Sequence, residues 1–334
     1  MPEFIEPQDY MKQYDQCVML DVRSPGEYEK GHLSGAKSLP LFDNPERAEV
    51  GTLYKQDSPD AALLRGLEIA GAKMRSYVEQ ARELAGEKPV VVHCWRGGQR
   101  SQSMAWLLER AGMSVQILKG GYKDFRRWQR DYLRKSPHTL TVIGGPTGAG
   151  KTRLLMALAD AGKAVIDLEG LAHHRGSSFG AIGQAEPQPS TEQFENDLCA
   201  ALHAIPEGSQ VFLEDESRMI GTCCIPEPFF DRMVNAQMIT LEVSTKRRLQ
   251  HLVEEYGQFP KDELAEAFRR ITKRLGGQHV KAALEALEEG DVSKAAEIAL
   301  VYYDKAYAKS TRQADRTLVV EDEESWAAMV KRMG

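Results

Sequence analysis

Hydrophobic positions along the chain form two successive series, each reading as strands separated by helices. In the first, the apolar runs Cys17-Val18-Met19-Leu20-Asp21-Val22, Pro89-Val90-Val91-Val92-His93 and Ser114-Val115-Gln116-Ile117-Leu118 are spaced by helical stretches. Short continuous apolar runs are the mark of strands buried on both faces, and alternation with helices predicts a mainly parallel sheet. After Gly120-Gly121, residues Tyr122 to Leu133 place apolar side chains at helical spacing, and the segment stops at Ser136-Pro137. Proline ends a helix because its nitrogen has no hydrogen to donate, so the domain boundary is expected near Pro137.

The second series starts at once with Thr139-Leu140-Thr141-Val142-Ile143, a glycine-rich turn and a helix from Lys151 to Ala161. Strands follow at Ala164-Val165-Ile166-Asp167, Gln210-Val211-Phe212-Leu213 and Met238-Ile239-Thr240-Leu241-Glu242-Val243. From Thr245 helical periodicity dominates through Leu249, Leu252, Leu264, Phe268, Ile271 and Leu287, before Thr317-Leu318-Val319-Val320 returns as a strand. The expected fold class is α/β, with one domain over 1–137 and a second over 138–334 that carries a helical C-terminal region. A length of 334 residues suits two domains of ordinary size.

Composition narrows the class. With 42% hydrophobic and 28% charged residues the chain can bury two cores, which excludes a disordered polymer or a rod. No apolar run approaches the ~20 residues of a bilayer span, and MPEFIEPQDY lacks the basic and apolar regions of a secretion signal. A cytoplasmic protein without a membrane partner is expected. Cys17, Cys94, Cys199, Cys223 and Cys224 show no C-x-x-C spacing, so neither a disulfide framework nor a zinc site is indicated. A net charge of −6 works against a nucleic-acid partner. The acidic excess, however, lies entirely beyond residue 137, and basic clusters stand out locally.

Gly145-Pro146-Thr147-Gly148-Ala149-Gly150-Lys151-Thr152 fits G-x-x-x-x-G-K-[ST] between a strand and a helix. Glycines let successive amides of Gly145, Gly148, Ala149 and Gly150 turn toward a phosphate, and the helix N-terminus adds positive potential. Lys151 reaches the outer phosphate, and the Thr152 hydroxyl is placed to hold Mg²⁺. Glu214-Asp215-Glu216 after a strand resembles the second half of such a site, with Asp215 expected as the metal-side carboxylate. Asp167 lies where small-molecule P-loop kinases present a carboxylate to substrate. His173, His174 and Arg175 are further candidates for phosphate or substrate.

Cys94 ends an apolar strand and opens the loop Trp95-Arg96-Gly97-Gly98-Gln99-Arg100-Ser101, which leads into a helix. Loop amides, the helix dipole and the charges of Arg96 and Arg100 all favour a thiolate, so an activated nucleophile is expected. Trp95 is placed to stack on a base, with Gly97 and Gly98 shaping the loop around the substrate. The spacing His93-Cys94-x-x-Gly97-x-x-Arg100-Ser101 also matches cysteine-dependent phosphatases.

Upstream, Leu20-Asp21-Val22-Arg23-Ser24-Pro25-Gly26-Glu27-Tyr28-Glu29-Lys30-Gly31-His32 resembles the N-terminal signature of the rhodanese fold, and Leu118-Lys119-Gly120-Gly121 leading to Trp128 its closing signature. Such a domain joined to a P-loop domain, with Asp167-Leu168-Glu169-Gly170-Leu171-Ala172-His173-His174-Arg175-Gly176-Ser177, Gln188-Pro189-Ser190, Phe194-Glu195-Asn196 and Tyr302-Tyr303-Asp304 with Tyr307, resembles the tRNA 2-selenouridine synthase family. The resemblance covers nearly the whole chain. It implies a rhodanese-like domain followed by a P-loop NTPase-like domain. It also implies conversion of wobble 2-thiouridine to 2-selenouridine with selenophosphate, by way of S-geranylation from geranyl diphosphate, and no organic cofactor.

The implied partners are the tRNA anticodon stem-loop and an enzyme supplying selenophosphate. Two basic clusters are candidates for tRNA: Arg126, Arg127 and Arg130 before the domain boundary, and Lys246, Arg247, Arg248, Arg270 and Arg274 after the last core strand. A rival reading from the two loops alone is a cysteine phosphatase or sulfurtransferase fused to an NTP-dependent kinase.

Overall fold

Three consecutive valines set the centre of the first unit. In the strand Val90–His93, alternation sends Val90 and Val92 into a core with Leu20, Met104, Leu108 and Ile117. Val91 points the other way, into a second core with Met19, Leu118 and Phe125. Both faces are covered, which is why the run is continuously apolar. A computed structural model describes residues 2–310, 312–321 and 324–333. Contacts divide the chain into two units, Met1–Leu133 with Glu195–His203, and Arg134–Phe194 with Ala204–Gly334. The short return of 195–203 to the first unit is a feature that the linear division of the sequence at Pro137 does not contain.

The first unit holds strands β1 (Glu3–Ile5), β2 (Val18–Asp21), β3 (Lys37–Ser38), β4 (Val90–His93) and β5 (Val115–Leu118). They form one sheet in the order β1-β5-β4-β2-β3, every pairing parallel. β1 and β3, at three and two residues, are too short to leave a period in the sequence. The buried Asp21–Arg23 pair, at 2.6 Å, anchors the chain where β2 ends. Arg23 also donates to the Gly31 carbonyl at 2.7 Å, and its guanidinium lies 3.9 Å from the Tyr122 ring centroid.

The second unit holds β6 (Thr139–Gly144), β7 (Ala164–Ile166), β8 (Gln210–Glu214), β9 (Met219–Ile220), β10 (Cys223–Cys224), β11 (Gln237–Val243) and β12 (Arg316–Val320). Five of these make a parallel sheet in the order β12-β11-β6-β8-β7, and β9 with β10 is a separate antiparallel pair. Helices Thr245–Tyr256, Lys261–Arg270, Gly277–Glu289 and Val292–Ser310 follow the sheet and share a core of their own, with Phe268, Ala283, Leu287, Ala295 and Ala299. Among the described residues no helix is long and apolar enough to cross a membrane. In open parallel sheets ligands bind at the carboxyl ends of strands. Cys94 follows β4, the glycine-rich turn follows β6, and Glu214 ends β8.

Candidate active site

The loop after β4 is folded tightly against the turn after β5. Gly97 and Gly121 both have positive φ, +65° and +61°. A methyl group on Gly121 would lie 2.4 Å from the Cys94 carbonyl oxygen and 2.4 Å from the Gly97 nitrogen. Tyr122 and Lys123 amides donate to the Cys94 and Trp95 carbonyls at 2.9 and 3.0 Å. The two glycine-bearing segments thus interlock, and the closing Gly120-Gly121 signature exists to let the cysteine loop close over it.

Cys94 is buried at the base of this loop, its Sγ 3.3 Å from the Ser101 Oγ. Ser101 in turn donates to the Gly98 carbonyl at 3.0 Å, and Gly98 stands at the N-terminus of the helix Gln99–Arg110. Arg96 is exposed, and Trp95 is 39% exposed with its ring 5.8 Å from that of Tyr122. Arg100, expected to favour the thiolate, donates to Glu27 at 2.8 Å and is also close enough to Cys94 for the two charges to interact. Glu27 also closes the capping box with Ser24 at the start of the helix Pro25–Lys30. The upstream signature therefore serves the loop: Asp21 and Arg23 anchor the strand end, and Glu27 fixes an arginine of the thiol loop.

The P-loop after β6 carries its own set of contacts. Gly150, at φ +85°, caps the helix Lys151–Asp160, and the Lys151 ammonium donates to the Gly145 carbonyl at 3.4 Å. His251 donates to the Gly148 carbonyl at 2.8 Å, and Arg248 donates to the Thr147 carbonyl at 2.8 Å. The Ala149 amide, expected to point at phosphate, is committed to the Pro146 carbonyl at 3.0 Å. Arg248 is buried and paired with Asp304, so this arginine and Asp304 hold the cradle's outer turn.

Facing Lys151 is an acidic cluster. Carboxylate oxygens of Glu169, Glu214 and Glu216 lie within 4.8 Å of one another, a donor set that fits a hard divalent cation. Glu214 is fully buried, and neither of its oxygens has a hydrogen-bond partner. An orphaned buried carboxylate is costly, and a cation shared with Glu169, Glu216 and the neighbouring Thr152 would remove that cost. Burial raises the pKa of Glu169, and Glu214 and Glu216 raise it further. For Lys151 burial opposes the charge, but Glu216, Glu214 and Glu169 outweigh it and hold the ammonium above its ordinary value.

Several expected roles change. Asp215 is not among the three grouped carboxylates: it pairs with Arg312 at 2.7 Å, while its charge still helps to hold the Lys151 ammonium above its ordinary value. Strand alternation is the reason: successive residues at the end of β8 face opposite sides. Asp167 accepts from the Gly170 amide at 2.7 Å and so caps the short helix Leu168–Leu171, leaving Glu169 as the acid that joins Glu214. His173, at φ +48°, has its Nδ1 3.0 Å from the Pro187 carbonyl, which accepts from it. His174 Nδ1 is buried without a hydrogen-bond partner, and burial lowers the pKa of that imidazole. Arg175 pairs with Glu255 at 3.2 Å and lies over the Tyr256 ring.

The basic clusters separate by exposure. Arg126 is held by Glu195 and Asn196, and Arg247 by the Glu321 and Glu324 carbonyls, so these two and Arg248 are internal. Arg127, Arg130, Lys246, Arg270 and Arg274 remain exposed, Arg127 beside Asp124 and Arg270 beside Glu266. Glu27, Glu169, Glu214, Glu216 and Asp304 are the side chains that the reading of site residues from sequence left out. For Glu214 the strand phase was a usable signal, because it shares a face with the buried Phe212.

A family model described as the tRNA 2-selenouridine synthase AAA domain matches residues 138–333, and a rhodanese-like domain matches 6–128. The tRNA 2-selenouridine synthase of Aeromonas salmonicida is 36% identical over 290 residues, covering 79% of this chain and 76% of its own. That of Hydrogenovibrio crunogenus is 37% identical over 299 residues, covering 81% and 79%. That of Marinobacter nauticus is 32% identical over 348 residues, covering 93% of each.

Proposed function

Because the chain belongs to the tRNA 2-selenouridine synthase family, we propose that it exchanges the sulfur of 2-thiouridine at the tRNA wobble position for selenium, in two chemical stages. The observation that carries this reading is the presence, in a member of this family, of a glycine-cradled thiol and a P-loop whose lysine faces three carboxylates.

In the first stage the P-loop holds geranyl diphosphate. The thiocarbonyl sulfur attacks the allylic carbon, the carbon–oxygen bond breaks, and pyrophosphate leaves with the bonding pair while the ring gives up its N3 proton. Lys151 and the loop amides stabilise charge that develops on the leaving group, the electrostatic term that usually dominates such catalysis. Mg²⁺ bound by Thr152, Glu169, Glu214 and Glu216 would supply further neutralisation there.

In the second stage selenium of selenophosphate attacks C2 of the alkylated ring. The carbon–sulfur bond breaks, geranyl thiol departs with a proton, and water cleaves the selenium–phosphorus bond to release phosphate. Alkylation comes first because a thioether carbon on an isothiourea-like ring expels a thiol, whereas a bare thiocarbonyl does not. Cys94 and the adjacent Arg96 receive selenophosphate in the first unit. An upstream enzyme supplies that compound, the exposed arginines and lysines contact the anticodon stem-loop, and the protein works in the cytoplasm.

The rival phosphatase reading requires Arg100 to grip a phosphoryl group, and its guanidinium is bound to Glu27. Incubating the purified protein with thiolated tRNA, selenophosphate and geranyl diphosphate tests the proposal. Cys94→Ser is expected to lose selenation and keep geranylation, and Lys151→Ala to lose geranylation. Geranylated tRNA from Lys151→Ala would overturn the assignment of the P-loop.

A further inference from the structure

Asn196, on the helix Thr191–Ala204, is only 2% exposed, and the reaction scheme above gives it no role. A carboxamide taken out of water is costly unless its hydrogen bonds are made. Here each is made to a specific partner. Both hydrogens of Nδ2 are used, one on the His32 carbonyl at 2.7 Å and one on the Tyr122 hydroxyl at 2.8 Å. Oδ1 accepts from the Arg126 guanidinium at 2.8 Å. Exchanging nitrogen and oxygen would set a carbonyl against the His32 carbonyl and an amino group against the arginine, so these partners leave the amide one orientation. Arg126 and Gln129 also hold the preceding residue, Glu195, by its carboxylate and its backbone carbonyl.

What the amide ties together is the support of the thiol loop. Tyr122 is fully buried, and its own amide donates to the Cys94 carbonyl at 2.9 Å. Its ring lies 3.9 Å from the Arg23 guanidinium, and 6.0 and 5.8 Å from the rings of His93 and Trp95, the residues on either side of Cys94. His32 follows the helix Pro25–Lys30, whose Glu27 holds Arg100. One side chain, 74 positions beyond Tyr122 in sequence, thus bonds to both segments that brace the cysteine loop. Such a brace limits how far the loop can shift, and a displacement of about 1 Å at a reacting group can cost about a hundredfold in rate.

We propose that Asn196 is a positioning residue for Cys94: its two donated hydrogen bonds lock Tyr122 and His32, and through them the backbone that presents the thiol to selenophosphate. The inference rests on the reading that Cys94 receives selenophosphate. It adds that this step depends on a residue beyond the boundary expected at Pro137. Tyr122 acts in the same line, its hydroxyl bonded to Asn196 and its amide to Cys94.

Two measurements on the full chain test this. In the first, hydrogen exchange followed by mass spectrometry reads the amides of Tyr122 and Lys123, which donate to the Cys94 and Trp95 carbonyls. Asn196→Ala is expected to speed their exchange about tenfold, while strand β4 exchanges as in the unmodified protein and so reports an intact fold. In the second, tRNA already geranylated is the substrate. The kcat for its selenation by Asn196→Ala is expected to fall about tenfold or more, with KM for this tRNA, and the separate rate of geranylation, within about twofold. Adding Tyr122→Phe should cost less than about a further twofold, because both changes break one line of contacts. Asn196→Asp keeps the acceptor for Arg126 but sets a carboxylate against the His32 carbonyl, and it is expected to behave as Asn196→Ala does. Full selenation by Asn196→Asp would show that only the arginine contact matters and would overturn the proposal. Unchanged exchange or unchanged kcat in Asn196→Ala would do the same, as would a loss of geranylation in step with selenation. If exchange changes as expected but the unmodified chain transfers no selenium, the brace on the loop stands and the reading of Cys94 falls instead.

Discussion

Glu27 accepts a hydrogen bond from Arg100 at 2.8 Å across 73 positions of sequence. The guanidinium of the thiol loop is therefore held by the helix that follows β2, and Glu27 simultaneously caps that helix. Burial works to raise the Glu27 pKa, and Arg100, the Ser24 amide and Arg47 outweigh it, so the carboxyl titrates below its ordinary range.

Glu27→Gln is expected to destabilise the protein by about 2 kcal/mol at neutral pH, the size of a charge-assisted hydrogen bond with its cap. Because the folded pKa is lowered, this stabilisation is complete above the ordinary glutamate value and is lost as pH falls through the lowered one. Urea denaturation of both proteins between pH 7 and pH 3 checks this: the difference should shrink with acid. A constant difference would show that Glu27 acts by packing alone.

Gly121→Ala places a methyl group 2.4 Å from two backbone atoms of the cysteine loop at a φ of +61°. The backbone must move, at a cost of at least about 3 kcal/mol. Selenation is expected to collapse, whereas geranylation and pyrophosphate binding in the second unit should persist. A variant with unchanged melting temperature and selenation would show that the interlock is not needed.

Burial and mutual repulsion raise the pKa of Glu169, and burial also raises those of Glu214 and Glu216. A carboxyl with a raised folded pKa stabilises below its unfolded value and loses that contribution as pH rises through the folded one. Metal-free protein is thus expected to lose stability as pH rises from the ordinary glutamate range into the neutral range. Thermal melts with and without Mg²⁺ should show the ion's stabilisation growing over the same interval, and Glu214→Gln should abolish most of the growth. A pH-independent Mg²⁺ effect would remove the cluster as its site.

Arginines of the basic clusters divide into two kinds, with opposite expected phenotypes. Arg247→Ala breaks bonds to two carbonyls and the contact with Trp326, 5.0 Å from the guanidinium. It should cost about 2–4 kcal/mol, as loss of a buried charged partner does. Replacing exposed Arg130 or Arg274 by Gln should leave the melting temperature unchanged, weaken tRNA binding and lower its salt dependence by about one phosphate contact each. Filter binding across a salt series, with melting curves alongside, separates the two groups.

Continuous apolar runs such as Val90-Val91-Val92 made both parallel sheets legible, because a strand buried on two faces has no polar alternation to obscure it. The two anion loops were equally legible, since glycine, lysine and cysteine at strand ends act through their own backbone and their neighbours in sequence. What the linear order concealed was the partner of each charge. Asp215 and Glu214 are adjacent in the chain, yet one pairs with Arg312 and the other faces Lys151. Arg248 and Lys246 lie on one helix, yet one is locked to Asp304, 56 positions away, and the other is exposed. Local propensity is carried by residues a few positions apart. Charge pairing depends on which surfaces the folded sheet and helices bring together, and tertiary packing alone decided that.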